Sequence, residues 1–356
     1  MAPKENCMRT KLLIETVNSL IGGEKGLLAM DESTGTCNKR FSLLSIPETE
    51  EAQRSYREMI VTAPGLAESI SGAILYDETI RQKISNGDRF VEVLNRAGII
   101  PGIKVDTGAK PMPAFPGEKI TEGLDGLPVR AAEYVQLGAR FAKWRAVITI
   151  GGGLPTQGCI DANAHALARY AIICQEAGLV PIIEPEVLME GPHTLPQCME
   201  VTSRVLHAVF DQLHIQRVIL EGIILKPNMV LPGKECADQS NAQQIADSTV
   251  HCLLRAVPAA VAGIAFLSGG QSSELACTRL NAMNVNFQGK MPWSLTFSFA
   301  RAIQQSALNI WAGDPCNVKA AQKELVYRAR CSRSARRGEY TLSTDGRDAR
   351  AVKPSA

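Results

Sequence analysis

The sequence is poor in the usual signals of bound groups. Its ten cysteines stand singly, with no close pairs of the zinc or redox kind, and read as reduced thiols. Its five histidines fall into no metal-ligand spacing: His207 and His214, seven apart, could share a helix face, but no third ligand stands beside them, so no metal is expected. There is no dinucleotide glycine fingerprint and no nucleotide-phosphate loop, and therefore no cofactor is expected. With a formal charge of +2 and no basic, aromatic-interleaved stretch in the folded part, nucleic acid is not an expected partner. No apolar run approaches the roughly 20 residues of a membrane span. The first ten residues, Met1 to Thr10, are polar and lack the apolar core of a secretory signal, which leads to the expectation of a cytoplasmic protein.

What is present is ordinary globular composition over 356 residues, 45% hydrophobic and 21% charged, enough for one large domain. After a helix over Thr10 to Ile21, short apolar runs alternate with helical patterns. The runs are Gly26–Glu32, Ile70–Asp77, Ile99–Asp106, Phe141–Ile150, Leu179–Glu186, Val218–Val230, Gly263–Gly270 and Pro292–Ser298. Helical segments are expected over 47–63, 80–97, 129–138, 161–176 with Asp161 as cap, 195–213, 238–257, 272–283 and from Arg301 to about Arg330. Eight strands alternating with helices predict an α/β fold, a single (β/α)₈ TIM barrel; an open parallel sheet satisfies the same periodicity. A connection carrying Pro111, Pro113, Pro116 and Pro128 reads as a functional loop or surface excursion. Residues 1–331 form the expected barrel domain. Residues 332–356 carry six Lys/Arg, three Asp/Glu and Tyr340 as their only aromatic residue, and are expected to be a mobile tail.

Charge gathers where such barrels keep their chemistry, at the carboxyl ends of the strands. Three consecutive strands end in Lys104-Val105-Asp106, Lys143-Trp144-Arg145 and Glu184-Pro185-Glu186, with Asp31 ending the first and Lys226 the sixth. Strand side chains alternate, so residues two apart point the same way. Burying these groups costs several kcal/mol per ion, which favours a functional cluster over a structural ion-pair network. A desolvated Lys226, crowded by Lys143 and Lys104, would lose its proton and attack carbonyls; snorkelling to water is its plain alternative. Glu184 and Glu186 could divide the work, one raised in pKa as proton donor and the other ionised. Ser268-Gly269-Gly270 after the seventh strand, with Arg301 after the eighth, has the makings of a phosphate site. Lys39-Arg40 offers a further basic patch or an exposed helix start. An amine nucleophile, acids and bases, anion sites and no metal suit carbon-carbon bond chemistry through a Schiff base.

In these residues the chain resembles the class I (Schiff-base) fructose-bisphosphate aldolases, from about Gly26 to Arg330. The likeness is carried by 28-LAMDEST-34, 102-GIKVD-106, 122-EGLDGL-127, 138-GARFAKWR-145, 181-PIIEPE-186, 221-EGIILKP-227 and 266-FLSGGQS-272, with intervening wording most like the bacterial branch. The resemblance implies a metal-independent lyase that cleaves fructose 1,6-bisphosphate reversibly into dihydroxyacetone phosphate and glyceraldehyde 3-phosphate, in glycolysis or gluconeogenesis. It implies that Lys226 forms the imine, that Glu184 donates the proton for dehydration with Glu186 and Lys143 supporting it, and that Asp31 takes the hydroxyl proton. Ser268, Gly269, Ala300 and Arg301 would hold the ketose-side phosphate, and Ser33, Thr36, Lys104 and Arg145 would lie toward the other, with Lys39 and Arg40 near the substrate. A homotetramer is the family's usual state. The chain departs from the pattern in Ala300, where many members have glycine, and in ending without the terminal tyrosine of many relatives, Tyr340 being the nearest substitute. The rival readings are another Schiff-base barrel, such as a transaldolase or keto-acid aldolase, and a catalytically idle binding scaffold.

Overall fold

In the computed structural model, which describes residues 3–341, the strands are β1 (Gly26–Ala29), β2 (Ile70–Leu75), β3 (Ile100–Lys104), β4 (Gly108–Pro111), β5 (Lys119–Glu122), β6 (Phe141–Ile148), β7 (Val180–Val187), β8 (Ile224–Leu225), β9 (Gly263–Phe266) and β10 (Ser294–Phe299). Eight of them form a closed parallel barrel in the order β1-β10-β9-β8-β7-β6-β3-β2. Closure, which periodicity left open, is made at β1, where Leu28 lies opposite Ala73 of β2 and Phe299 of β10. The fold is thus the expected (β/α)₈ barrel.

The alternation of side chains sorts each strand into two environments. Outward residues such as Trp144, Leu225, Ile183, Phe266, Phe297 and Phe299 pack against the ring of helices. Inward residues Leu27, Ile74, Phe141, Val180, Ile182, Ile224 and Ala265 fill the lower barrel together with Leu13, Val17, Leu20 and Ile21 of the first helix, Pro3–Ile21, which plugs its base. Each of these side chains other than alanine, fully buried, contributes roughly 1.5–3 kcal/mol. Gly102 has no side chain because the Phe141 ring occupies that space. Moving two residues up the same inward faces leads from Ala29 to Asp31, Phe141 to Lys143, Ile182 to Glu184 and Ile224 to Lys226. The apolar plug therefore ends where the charged layer begins.

Several boundaries differ from expectation. The run Val218–Val230 is not one long strand: Leu220–Gly222 forms a 3₁₀ turn and only Ile224–Leu225 pairs. The buried Gln175 side chain satisfies the intervening backbone, donating to Ile219 O (2.8 Å) and Gly222 O (3.3 Å) and accepting from Ile219 N–H (3.0 Å). A side-chain amide thus replaces the ladder, a substitution invisible to hydrophobic pattern. The 80–97 segment splits into helices Asp77–Arg81 and Phe90–Ala97 around Gly87, whose φ of 93° a helix cannot hold. The proline-rich excursion contains the antiparallel hairpin β4–β5, too short for alternation to register. The 161–176 helix begins at Gln157, capped by Thr156 rather than Asp161.

The expected boundary at residue 331 is also corrected, because the last helix runs from Val318 to Arg336 and Tyr340 is buried. Its end is tied to the base of the barrel: Arg336 donates to Ile21 O (2.5 Å), to Thr296 Oγ1 (3.2 Å) and to Lys25 O. Tyr340 follows against Asn281, whose Oδ1 accepts its backbone N–H at 2.9 Å. The remainder of the expected tail, 342–356, lies outside the described residues. Burial pushes the Arg336 guanidinium down to about 10, and its removal would strand several buried acceptors. Arg336→Ala is expected to cost about 2–4 kcal/mol in chemical denaturation with kcat unchanged, since it sits at the end of the barrel opposite the charged layer. An unchanged denaturation midpoint would refute this anchoring. Among the described residues, no helix is long and apolar enough to cross a membrane.

Candidate active site

Four side chains, Lys143 and Glu184 within β6 and β7 and Asp31 and Lys226 just past β1 and β8, form a continuous chain of charge. Lys226 Nζ lies 3.1 Å from Glu184 Oε1, Glu184 Oε2 lies 3.2 Å from Lys143 Nζ, and Lys143 Nζ lies 2.6 Å from Asp31 Oδ2. Lys226, Glu184 and Lys143 are each 3% exposed and Asp31 is 8% exposed, so none of them snorkels to bulk water. Pro227 helps aim the lysine, since it offers no ladder donor, while Lys226 N–H still binds Ile183 O at 2.7 Å. Glu184 Oε2 faces Lys143 as a charge contact without the alignment of a hydrogen bond, which leaves that oxygen a free acceptor.

Burial and neighbouring charge oppose each other at Glu184, Asp31 and Lys143. Burial acts to raise the Glu184 carboxyl, but the charges of Lys143, Lys226 and Arg145 outweigh it and hold it below the usual carboxylate range. Asp31 follows the same balance, with burial opposed by Lys143, Lys226 and Lys104. Burial works against the Lys143 ammonium, yet Asp31, Glu184 and Asp106 hold its pKa above the ordinary lysine value. The expectation of a raised carboxyl is therefore not met at Glu184, because two ammonium groups flank it. Carboxyls held low bind fewer protons folded than unfolded at pH values just below their ordinary 3.8 and 4.5. Their stabilisation is accordingly full above about pH 5 and is lost as pH falls through the lowered folded values. The urea midpoint is expected to stay flat from pH 7 to about 5 and then drop; a raised carboxyl would give the opposite slope.

Around this chain the remaining strand ends are paired. Arg145 grips Glu186 through Nε and Nη2, both 2.5 Å from Oε2, at the water-exposed edge of the site. Lys104 Nζ is bound at 2.6 Å by both Asp106 Oδ1 and Asp106 O, so its charge already has a partner. Ser33 and Thr36 bring their hydroxyls within 3.1 Å of each other at the start of the helix Thr34–Ser42, which also carries the exposed Lys39. Arg40 is the exception. Its guanidinium is buried, bonded to Glu32 Oε1 at 2.5 Å and to Tyr56 OH at 3.3 Å, so it braces the loop instead of facing the substrate as expected. Adjacent helix positions point about 100° apart, which separates Lys39 from Arg40.

Across the barrel, the turn after β9 places Ser268, Gly269 and Gly270 beside the helix Arg301–Trp311. Gly269 and Gly270 have φ of 57° and 87°, conformations that let backbone amides face a common point. Arg301 crosses to this turn, its Nη2 lying 3.2 Å from where a Cβ on Gly270 would stand. Ala300 caps the helix with φ of −105° and ψ of −91°, and its carbonyl accepts the first helical bonds from Ile303 and Gln304. A helix start, two glycines and an arginine together make an anion site.

Sequence reading missed three contributors here. Gln304, fully buried, donates to Ala29 O at 2.5 Å and accepts from Tyr56 OH at 3.0 Å, fixing the end of β1 just before Asp31. Glu32 serves as the Arg40 partner. Lys234, on the loop after β8, approaches Gly270 beside Arg301. Only Lys234 had a sequence signal, a cation on a strand-end loop. Tyr340, the substitute for a terminal tyrosine, lies instead against the helix Ser273–Asn286 near the base of the barrel.

Comparison with known proteins bears on this geometry. The family model described as fructose-bisphosphate aldolase class-I matches residues 12–353. A protein of Xanthomonas campestris pv. campestris, named probable fructose-bisphosphate aldolase class 1, is 52% identical over 90% of this chain and 95% of its own. An Arabidopsis thaliana protein, fructose-bisphosphate aldolase 4, cytosolic, is 49% identical over 94% of this chain and 84% of its own. Among solved structures, the fructose-bisphosphate aldolase of Plasmodium falciparum, in a ternary complex with TRAP and a small molecule inhibitor, superposes with a TM-score of 0.92 at 46% identity, covering 94% of this chain and 96% of that one.

Proposed function

The chain belongs to the class-I fructose-bisphosphate aldolase family, and from that premise we propose how its own residues carry out the reversible cleavage of fructose 1,6-bisphosphate into dihydroxyacetone phosphate and glyceraldehyde 3-phosphate. The observation that carries the reading is the buried Lys226–Glu184–Lys143–Asp31 chain. Lys226 passes a proton to Glu184 across 3.1 Å, which produces a neutral amine and a neutral acid in one step and accounts for a proton donor whose resting pKa is low. The amine nitrogen attacks the ketone carbon, giving a carbinolamine. Glu184 then protonates the departing hydroxyl, water leaves, and a protonated imine forms.

Asp31, ionised, takes the proton from the C4 hydroxyl of the substrate. The C3–C4 bond breaks, its electron pair moves into the iminium to give an enamine, and the aldehyde departs. The enamine gains at C3 the proton that Asp31 gives back through solvent, and hydrolysis of the imine releases dihydroxyacetone phosphate and restores Lys226 and Asp31. Lys143 stays protonated throughout and holds Asp31 and Glu184 in place. Ser268, Gly269, Ala300 and Arg301 take the ketose-side phosphate, while Ser33, Thr36, Lys39, Lys104 and Arg145 serve the other end. Residues 3–341 act as one domain, and the protein works as a cytoplasmic homotetramer, as the family resemblance and the cytosolic Arabidopsis relative support.

The test is borohydride reduction in the presence of dihydroxyacetone phosphate and a metal chelator, followed by peptide mass mapping. A reduced adduct on Lys226 is expected. No adduct on folded protein would mean that the cluster binds without reacting.

A further inference from the structure

The loop after β8 carries a lysine with no role in the scheme above. Lys234 follows Pro232 and Gly233, and its backbone is fixed to the loop after β7 by three bonds. Gly233 N–H donates to His193 O at 2.8 Å, Lys234 N–H to Met189 O at 2.8 Å and Glu235 N–H to Gly191 O at 3.1 Å. Gly233 makes this approach possible, because a Cβ there would overlap the Gly191 carbonyl. The base of the Lys234 side chain is therefore fixed, and only its flexible stem moves.

The ammonium reaches the anion site. Lys234 Nζ lies 3.2 Å from the point where a Cβ on Gly270 would stand, and Arg301 Nη2 lies 3.2 Å from that same point. Two cations thus stand beside the positive-φ turn of Gly269 and Gly270. Like charges held this close repel unless an anion joins them. Glu190 partly meets that need, its Oε1 lying 3.1 Å from Lys234 Nζ, but the two side chains are 61% and 45% exposed, and a pair so open to water holds weakly. A phosphate carries more charge than one carboxylate and three acceptor oxygens, enough to engage both cations.

We propose that Lys234 is a second cation of the Ser268–Gly270/Arg301 phosphate subsite, exchanging Glu190 for the substrate phosphate, and that it sets affinity for phosphorylated ketoses without entering the chemistry. The proposal rests on the reading of that subsite as the ketose-phosphate site. Its test uses dihydroxyacetone phosphate, whose single phosphate is on the ketose side, together with the steady-state kinetics of fructose 1,6-bisphosphate cleavage.

Lys234→Met is expected to raise both the half-saturating dihydroxyacetone phosphate concentration in borohydride trapping and KM by about tenfold, with kcat within about twofold of the parent. Lys234→Arg restores most of the affinity, and Glu190→Gln lowers the half-saturating concentration by about threefold by freeing the lysine. If Lys234→Met leaves both constants unchanged while Arg301→Met raises them, the role of the lysine is overturned and the subsite stands. If Arg301→Met also leaves them unchanged, the subsite reading itself fails. Weaker binding in Glu190→Gln would overturn the exchange of partners.

Discussion

Lys226→Met is expected to fold normally and to lose cleavage of fructose 1,6-bisphosphate by at least about ten-thousandfold, the scale on which an enzyme loses its covalent nucleophile. No other amine of the charge chain can replace it: Lys143 is held between Asp31 and Glu184, and its pKa is raised above the ordinary lysine value, so it offers no free electron pair. The fold should survive because Glu184 keeps Lys143 at 3.2 Å as a counter-charge once the ammonium of Lys226 is gone. Lys226→Arg should be equally inactive, since a guanidinium stays protonated and forms no imine. Turnover assays alongside borohydride trapping decide the matter. Activity within a hundredfold of the parent, or an adduct persisting on another lysine of the variant, would remove Lys226 from the mechanism.

Asp31→Asn separates the two halves of the reaction. An amide accepts no proton at neutral pH, so C–C cleavage is expected to slow by about a thousandfold, within the usual range for loss of a general base. Imine formation depends on Lys226 and Glu184, which remain 3.1 Å apart, so dihydroxyacetone phosphate should still label Lys226 under borohydride. The variant would thus be trapped but unable to cleave. Cleavage within tenfold of the parent would show that another group takes the hydroxyl proton; loss of labelling would show that Asp31 governs imine formation through Lys143, which it touches at 2.6 Å.

The sequence by itself determined the number and order of the barrel strands and the chemical character of their ends. Both follow from local rules: buried strands read as apolar runs, and alternation sends Asp31, Lys143, Glu184 and Lys226 inward one step above the apolar plug. Those rules say nothing about which charges pair. Only the tertiary structure decided that two ammonium groups flank Glu184 and hold its carboxyl low, that Lys104 is occupied by Asp106, and that Arg40 turns into the core toward Glu32 while its neighbour Lys39 faces water. The same holds for Gln175 standing in for a missing ladder ahead of Lys226, and for Arg336 tying the last helix to the base of the barrel. The last two join residues far apart in the chain through one side chain at hydrogen-bond distance. Periodicity records which face of an element is buried, but the partner met there is set by how distant elements close around one another.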